Sequence, residues 1–252
     1  MKVYVLNLDR QPERLAHMRA QLSEVCFERI AAIEGAKKAP SNKGLTRFEL
    51  ACLSSHRAGW RRFLDGPDTH ACFLEDDVHV WPRFNELIAA ENWIPLDAHS
   101  VKLDTYLQKV KLGDARPAPG GRQIAPLFTR HESSAAYLLT RAGAHRYLEL
   151  TADLSLPADY ALFPKNPRRS GLRVYQLTPA IAIQDHLLTR ESGGQRLATA
   201  MADHEGPRRR PGSLGSTLRR EVTRLIVQSA DAVEAVYLAA SQRPRTTMVP
   251  VG

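Results

Sequence analysis

Glu75, Asp76 and Asp77 follow the apolar run Ala71-Cys72-Phe73-Leu74 without a break. Such a run suits a short buried strand, which would end by presenting three carboxyl groups at its C-terminal edge. Carboxylates that close together repel each other, and a hard divalent cation with oxygen ligands relieves the repulsion most directly. Open α/β sheets take their ligands outside the carboxyl ends of the strands. The triplet therefore points to a metal-bridged phosphate site, such as one for a nucleotide-sugar donor. A solvated turn with one helix-capping carboxylate is the plainer alternative, because Asp-rich turns are common.

The elements needed to position these acids are legible on both sides. Residues 2–8 read as a first strand. Pro12 occupies a favoured helix-start position, and Leu15, Met18 and Leu22 follow at helical spacing. Residues 25–33 suit a second strand, and the polar stretch 35–44 a loop. Thr46 with Glu49 forms a capping box for a helix running to about Leu64. Pro82 starts another helix through Phe84, Leu87 and Ile88, and 100–103 form a short strand. The Gly- and Pro-rich stretch 111–123 is a mobile loop or hairpin. Residues 135–140 read as a strand, 141–150 as a helix, and Pro157-Ala158-Asp159 opens a short further element. Residues 172–183 hold one or two more strands. This alternation predicts an α/β fold of three layers, spanning residues 1–203.

The chain has 252 residues, 43% apolar and 25% charged, which suits one soluble globular core with an appendage. Its three cysteines, Cys26, Cys52 and Cys72, lie among apolar residues without a CxxC spacing, so buried free thiols in a reducing compartment are expected. No secretory leader or membrane-spanning run is visible, which points to a cytoplasmic location. The net charge of +8 is concentrated late: residues 206–252 carry eight arginines against three acids. Residues 204–213 read as a basic linker. Residues 214–252 read as an amphipathic helical tail, carrying Leu218, Val222, Leu225, Ile226, Val233 and Val236, with a disordered end from about Arg243. Such a tail can pack on the domain, meet an anionic membrane surface, or pair with another copy in a homodimer. Nucleic acid is an unsuitable partner, because the arginines lack interleaved aromatics.

Four blocks resemble glycosyltransferase family 25, the lipopolysaccharide-type sugar transferases related to collagen galactosyltransferases. They are Val3-Tyr4-Val5-Leu6-Asn7-Leu8-Asp9-Arg10 with Arg14; Glu49-Leu50-Ala51-Cys52-Leu53-Ser54-Ser55-His56 with Trp60; Phe73-Leu74-Glu75-Asp76-Asp77-Val78; and Ser134 to Ala144, followed by Pro157-Ala158-Asp159. The chain departs from the family at Phe48 and Ala51, where glycines are usual. The resemblance implies a GT-A-like (Rossmann-like) domain and an inverting transfer of a hexose, galactose by family preference. The donor would be a UDP-hexose or similar nucleotide sugar, and the acceptor a glycan or glycolipid hydroxyl at the inner membrane face.

In that frame the acidic triplet takes the place of the DxD motif. Asp77 would bind Mn²⁺ or Mg²⁺, Glu75 would meet the ribose or share the metal, and Asp76 would orient its neighbours or cap a turn. Asp159 is the candidate general base, with a helix-capping role as its alternative, and Asp104 and Asp185 as weaker choices. Asn7, Arg10 and Arg14 would face the nucleotide, Arg14 being equally readable as a solvated helix residue. His56 is a donor-binding candidate or a buried structural histidine, Lys102 a phosphate-neutralising one, and His186 an imidazole ligand to the metal. The rival reading is a catalytically degenerate GT-A-like binding module whose basic tail holds a membrane or protein partner.

Overall fold

The computed structural model describes residues 1–35, 45–192 and 244–252. The expected loop at 36–44, the linker at 204–213 and the amphipathic tail helix lie outside the described residues.

In chain order the elements are β1 (Lys2–Asn7), α1 (Pro12–Gln21), β2 (Phe27–Ala31), α2 (Arg47–Leu64), β3 (His70–Glu75), β4 (Val78–Val80), α3 (Phe84–Ala89), β5 (Ser100–Lys102) and β6 (Asp104–Thr105). They continue with β7 (Lys109–Leu112), β8 (Arg116–Ala118), β9 (Arg122–Pro126), β10 (Ala136–Thr140), α4 (Arg141–Leu150), α5 (Ala158–Leu162), β11 (Val174–Thr178), β12 (Ala182–Gln184), α6 (Asp185–Ser192) and β13 (Arg245–Met248). Eight strands form one mixed sheet in the order β2-β1-β3-β10-β5-β11-β9-β8. β1 runs parallel to β2 and β3, and β11 parallel to β5, while β10 lies antiparallel between β3 and β5. A small sheet, β4-β12-β6, stands beyond the end of β3.

Alternation along the strands builds the three layers. Tyr4 and Leu6, Ala71 and Phe73, and Tyr137 and Leu139 face one core, with Leu53, Trp60 and Phe63 of α2, Tyr147 of α4 and Leu162 of α5. Val3 and Val5, Cys72 and Leu74, and Leu138 face the other, with Met18 of α1 and Phe84 and Leu87 of α3. Thr46 caps α2: its hydroxyl accepts from the Glu49 N–H, and the Glu49 carboxylate accepts from the Thr46 N–H at 2.7 Å. Gly59 lets α2 lie close to the sheet, because a Cβ there would stand 2.9 Å from the Phe73 ring.

Of the two forms expected for 111–123, the hairpin is the one present, with β8 and β9 paired at the sheet edge. One expectation is corrected: the last nine residues, expected to be disordered, pack on the domain instead. β13 pairs with β7, Val249 is fully buried, and Ala180 N–H donates to the Pro250 carbonyl at 2.8 Å. Burial of Val249, with Val251 half-buried beside it, supplies the driving force that the arginine-based reading overlooked. Cys26 also departs from expectation: it is exposed, whereas Cys52 is half-buried and Cys72 buried, all as free thiols. No helix among the described residues is long and apolar enough to cross a membrane.

Candidate active site

The ends of β1, β3 and β5, the start of β10 and the small sheet meet at one edge of the main sheet. Glu75 closes β3, and its N–H donates to the Ala135 carbonyl at 2.8 Å just ahead of β10. The chain then turns through Asp76 and Asp77 into β4. The Asp77 carbonyl accepts from the Asp185 N–H at 2.9 Å, which brings the start of α6 against the turn.

The three acids have different surroundings. Asp76 is buried: Oδ1 accepts from Arg14 Nη1 at 2.9 Å and Oδ2 from Asn7 Nδ2 at 2.7 Å. Burial raises its carboxyl, and Arg14 and Asn7 pull it back part of the way. Glu75 accepts from Ser134 Oγ at 2.8 Å and faces His56 Nε2 at 3.2 Å. Burial opposes its ionisation, but His56, Ser134 and the Lys102 charge outweigh that and hold it below the usual carboxylate range. Asp77 has weaker support, from Arg14 at 3.9 Å and Gln184 at 3.4 Å. Burial first, then repulsion from Glu75, push it up to about 7 against the pull of Arg14. One amide reaches both outer acids: Gln184 Nε2 lies 3.5 Å from Glu75 Oε2 and 3.4 Å from Asp77 Oδ1.

An aromatic row supports this edge from below. Tyr4, Phe73 and Tyr137 stack across β1, β3 and β10 with ring centroids 5.2 and 5.3 Å apart. Trp60 Nε1 donates to the Tyr137 hydroxyl at 2.7 Å, and that hydroxyl meets His56 Nδ1 at 2.8 Å. One arrangement satisfies every partner: Tyr137 donates to Nδ1, and His56 donates from Nε2 to Glu75. His56 therefore fixes the orientation of Glu75.

Lys102 is fully buried, with Nζ donating to Asp104 Oδ1 at 2.8 Å and to the Ser133 carbonyl at 2.6 Å. Its charge acts within the protein, on Glu75 and Asp159, rather than at an open surface. Asp159 lies in the first turn of α5 and accepts from the Tyr160 N–H at 2.9 Å. Burial raises its carboxyl, with that hydrogen bond and Lys102 opposing. Asn7 is spent on Asp76, on the Gln11 carbonyl and on Arg29, which donates to its Oδ1 at 2.8 Å. Arg14 is buried against Asp76, which corrects its reading as a solvated residue. Arg10 stays outside this cluster, paired with Glu34 at 2.8 Å on the surface. His186 sits in the first turn of α6, its ring 6.0 Å from that of Tyr106.

Ser134 and Tyr137 lie in the fourth family-like block but were not singled out as site residues, and Ser133 and Gln184 carry no sequence signal. Ser133 adopts a left-handed backbone (φ 78°), which lets its carbonyl meet Lys102 while its hydroxyl donates to Gln184 at 3.1 Å. Serine and glutamine are too common for their type alone to mark them, and only the pairing of β12 with β4 carries Gln184 to Asp77. A groove of about 970 Å³ lined by His70, Glu91, Trp93 and Arg116 opens at the opposite end of β3 and shares no residue with the acids.

Fold and site together define an α/β protein whose cluster of buried and half-buried acids lies at the carboxyl ends of its parallel strands. The chain belongs to glycosyltransferase family 25 (LPS biosynthesis protein), whose sequence model matches residues 1–162, and it is a glycosyltransferase. It is 26% identical over 208 residues to the lacto-N-neotetraose biosynthesis glycosyltransferase LgtB of Neisseria gonorrhoeae, covering 73% of this chain and 75% of that one. It is also 26% identical over 192 residues to the lipooligosaccharide biosynthesis protein lex-1 of Haemophilus influenzae, covering 72% and 63%. A glycosyltransferase involved in glycosylation of the major capsid of PBCV-1 aligns in structure with a TM-score of 0.39 and 10% identity, over 73% of this chain and 93% of that one.

Proposed function

We propose that the protein moves a hexose, galactose by family preference, from a UDP-type nucleotide sugar to a hydroxyl of a lipopolysaccharide or related surface glycan, with inversion and with help from Mn²⁺ or Mg²⁺. The observation that carries the reading is the convergence of Glu75 and Asp77 on the single amide of Gln184, with Asp77 pushed up to about 7 by burial and by repulsion from Glu75. Paired carboxylates whose mutual repulsion is left unrelieved suit a hard divalent ion. Asp77 and Glu75 would hold it, with His186 at the start of α6 as a further candidate ligand. Bound there, the ion would offset the charge that builds on the leaving diphosphate.

The chain's own residues supply the rest. Asp159 takes the proton of the acceptor hydroxyl as its oxygen bonds to the anomeric carbon and the bond to the diphosphate breaks. A carboxyl raised by burial is better matched to that task than a solvated one. Lys102 keeps Glu75 and Asp159 in balance from beneath. Arg14 and Asn7 serve the donor indirectly by fixing Asp76 and with it the turn that aims Asp77. The arginine surplus of residues 206–252 supports work beside an anionic membrane surface.

A screen of nucleotide sugars by thermal melting tests the reading. One donor should raise the midpoint only when Mn²⁺ or Mg²⁺ is present, and Asp77→Asn should abolish the shift. Absence of a metal-dependent shift with every donor, together with absence of transfer, would reject it. Binding without turnover would favour the degenerate binding module.

A further inference from the structure

We propose that Cys52, His56 and Glu75 form a second metal site, selective for a borderline-soft divalent ion such as Zn²⁺ and distinct from the hard-ion position at Asp77. Cys52 and His56 are four residues apart on α2 and so share one helix face, which is turned toward the end of β3. One ligand atom from each of the three residues lies within 4.8 Å of the others. With Zn–S near about 2.3 Å and Zn–N or Zn–O near about 2.0–2.1 Å, neighbouring ligand atoms in a tetrahedral site stand about 3.3–3.6 Å apart. The His56 Nε2 to Glu75 Oε1 separation is already 3.2 Å. The remaining edges, within 4.8 Å, need to close by up to about 1.5 Å, which side-chain rotation of Cys52 and Glu75 would supply.

The donor set decides the metal. A thiolate, an imidazole and one carboxylate suit zinc, whereas Mg²⁺ and Mn²⁺ favour oxygen-rich sets without thiolate. Tyr137 supplies the outer support that metal-bound histidines usually have, through its hydroxyl at 2.8 Å from Nδ1. On loading, the cation would take the Nε2 position, the Nε2 proton would move to Nδ1, the Tyr137 O–H would rotate off Nδ1 so that its oxygen accepts from it, and the Cys52 thiol would release its proton to solvent. Without metal, burial and the Glu75 charge keep that thiol protonated. Ion entry is open because Cys52 is half-buried and the Glu75 side chain retains 22% of its exposure. A water or substrate oxygen completes the fourth position. Glu75 would belong to both metal positions, so zinc loading would lower transfer; that consequence alone rests on the function proposed above.

Cobalt substitution tests the site without any donor, and so separately from the transferase reading. Full-length protein carrying Cys26→Ser, which removes the exposed thiol, is titrated with Co²⁺ and read by absorbance. One equivalent should produce a thiolate-to-cobalt charge-transfer band and intense visible bands of tetrahedral geometry, displaced by Zn²⁺. Adding Cys52→Ala should abolish the band and weaken zinc binding at least tenfold, with Cys52→Ser as a second, size-conserving variant should the first fail to fold. No band at stoichiometric cobalt, or a band undiminished in the folded Cys52 variant, would overturn the proposal.

Discussion

Arg14 and Asp76 form a buried ion pair at 2.9 Å, with 5% and 6% of their surfaces exposed, between the first turn of α1 and the turn after β3. The middle acid of the triplet is thus answered by the protein itself. The outer two, Glu75 and Asp77, are left to turn toward Gln184 and the edge of the sheet. Arg14 and Asn7 on one side and Gln184 on the other divide three adjacent carboxylates into a structural member and a candidate binding pair.

Asp76→Asn should therefore act on stability. It leaves a buried guanidinium without its main counter-charge, a change that costs about 3–5 kcal/mol in comparable pairs. The low end is expected, since Asp77 Oδ2 lies 3.9 Å from Arg14 Nη1 and takes part of the load. Urea unfolding of Asp76→Asn, Arg14→Met and the double variant checks this: the double variant should lose less than the sum of the singles. Additive losses would mean that the pair is not coupled.

Asp77→Asn should do the opposite in metal-free protein. Its folded carboxyl, at about 7 against an ordinary value of 3.8, keeps a proton that the unfolded chain gives up. The folded state then binds more protons than the unfolded one, so stability falls as pH rises from about 4 to about 7. Below that window both states are protonated and the penalty vanishes. Melting curves across the window should show the decline in wild type, a flatter profile in Asp77→Asn, and recovery of wild type with saturating Mn²⁺. Removing metal with EDTA should restore the decline.

Much of this was open to sequence reasoning because local signals and tertiary demands agreed. The Thr46–Glu49 capping box, the helix at 141–150 and the strand before Glu75 each combine periodicity with a boundary residue. Gly143, inside the fourth block, has a steric reason: a Cβ there would overlap the His99 carbonyl oxygen. What stayed hidden depends on long-range register. That Asn7, Arg14 and Lys102 turn their polar atoms inward could not be read from residues that, by type, favour solvent. The placement of Gln184 required knowing that β12 pairs with β4, more than a hundred residues away in sequence.

Asp159→Asn separates chemistry from binding. Loss of a positioned general base costs about 10²- to 10⁴-fold in turnover. Melting shifts with donor and metal should persist, because Asp159 reaches Glu75 only through the field of Lys102 and their mutual charge. With Asp159 as the proposed base, its raised carboxyl should set the acid limb of the wild-type rate profile above that of an ordinary aspartate. Unchanged turnover in a folded Asp159→Asn protein would reassign the proton to another group.

The C-terminal strand gives the last test. Val249 is buried in the same core as Val110 and Leu112, its carbonyl accepts from Thr105 Oγ1 at 2.7 Å, and Pro250 and Gly252 bond to Ala180. Thr105 closes β6, Ala180 lies two residues before β12, and β12 carries Gln184 toward Asp77. Full burial of a valine side chain stabilises by about 1.5–3 kcal/mol. Val249→Asp, or truncation after residue 243, should lower the melting temperature and also weaken metal-dependent donor binding by releasing the small sheet. Val249→Ile, which keeps the residue apolar, should lose far less of both. A truncated protein with unchanged stability and unchanged donor binding would show that the strand neither braces the domain nor holds Gln184 in place.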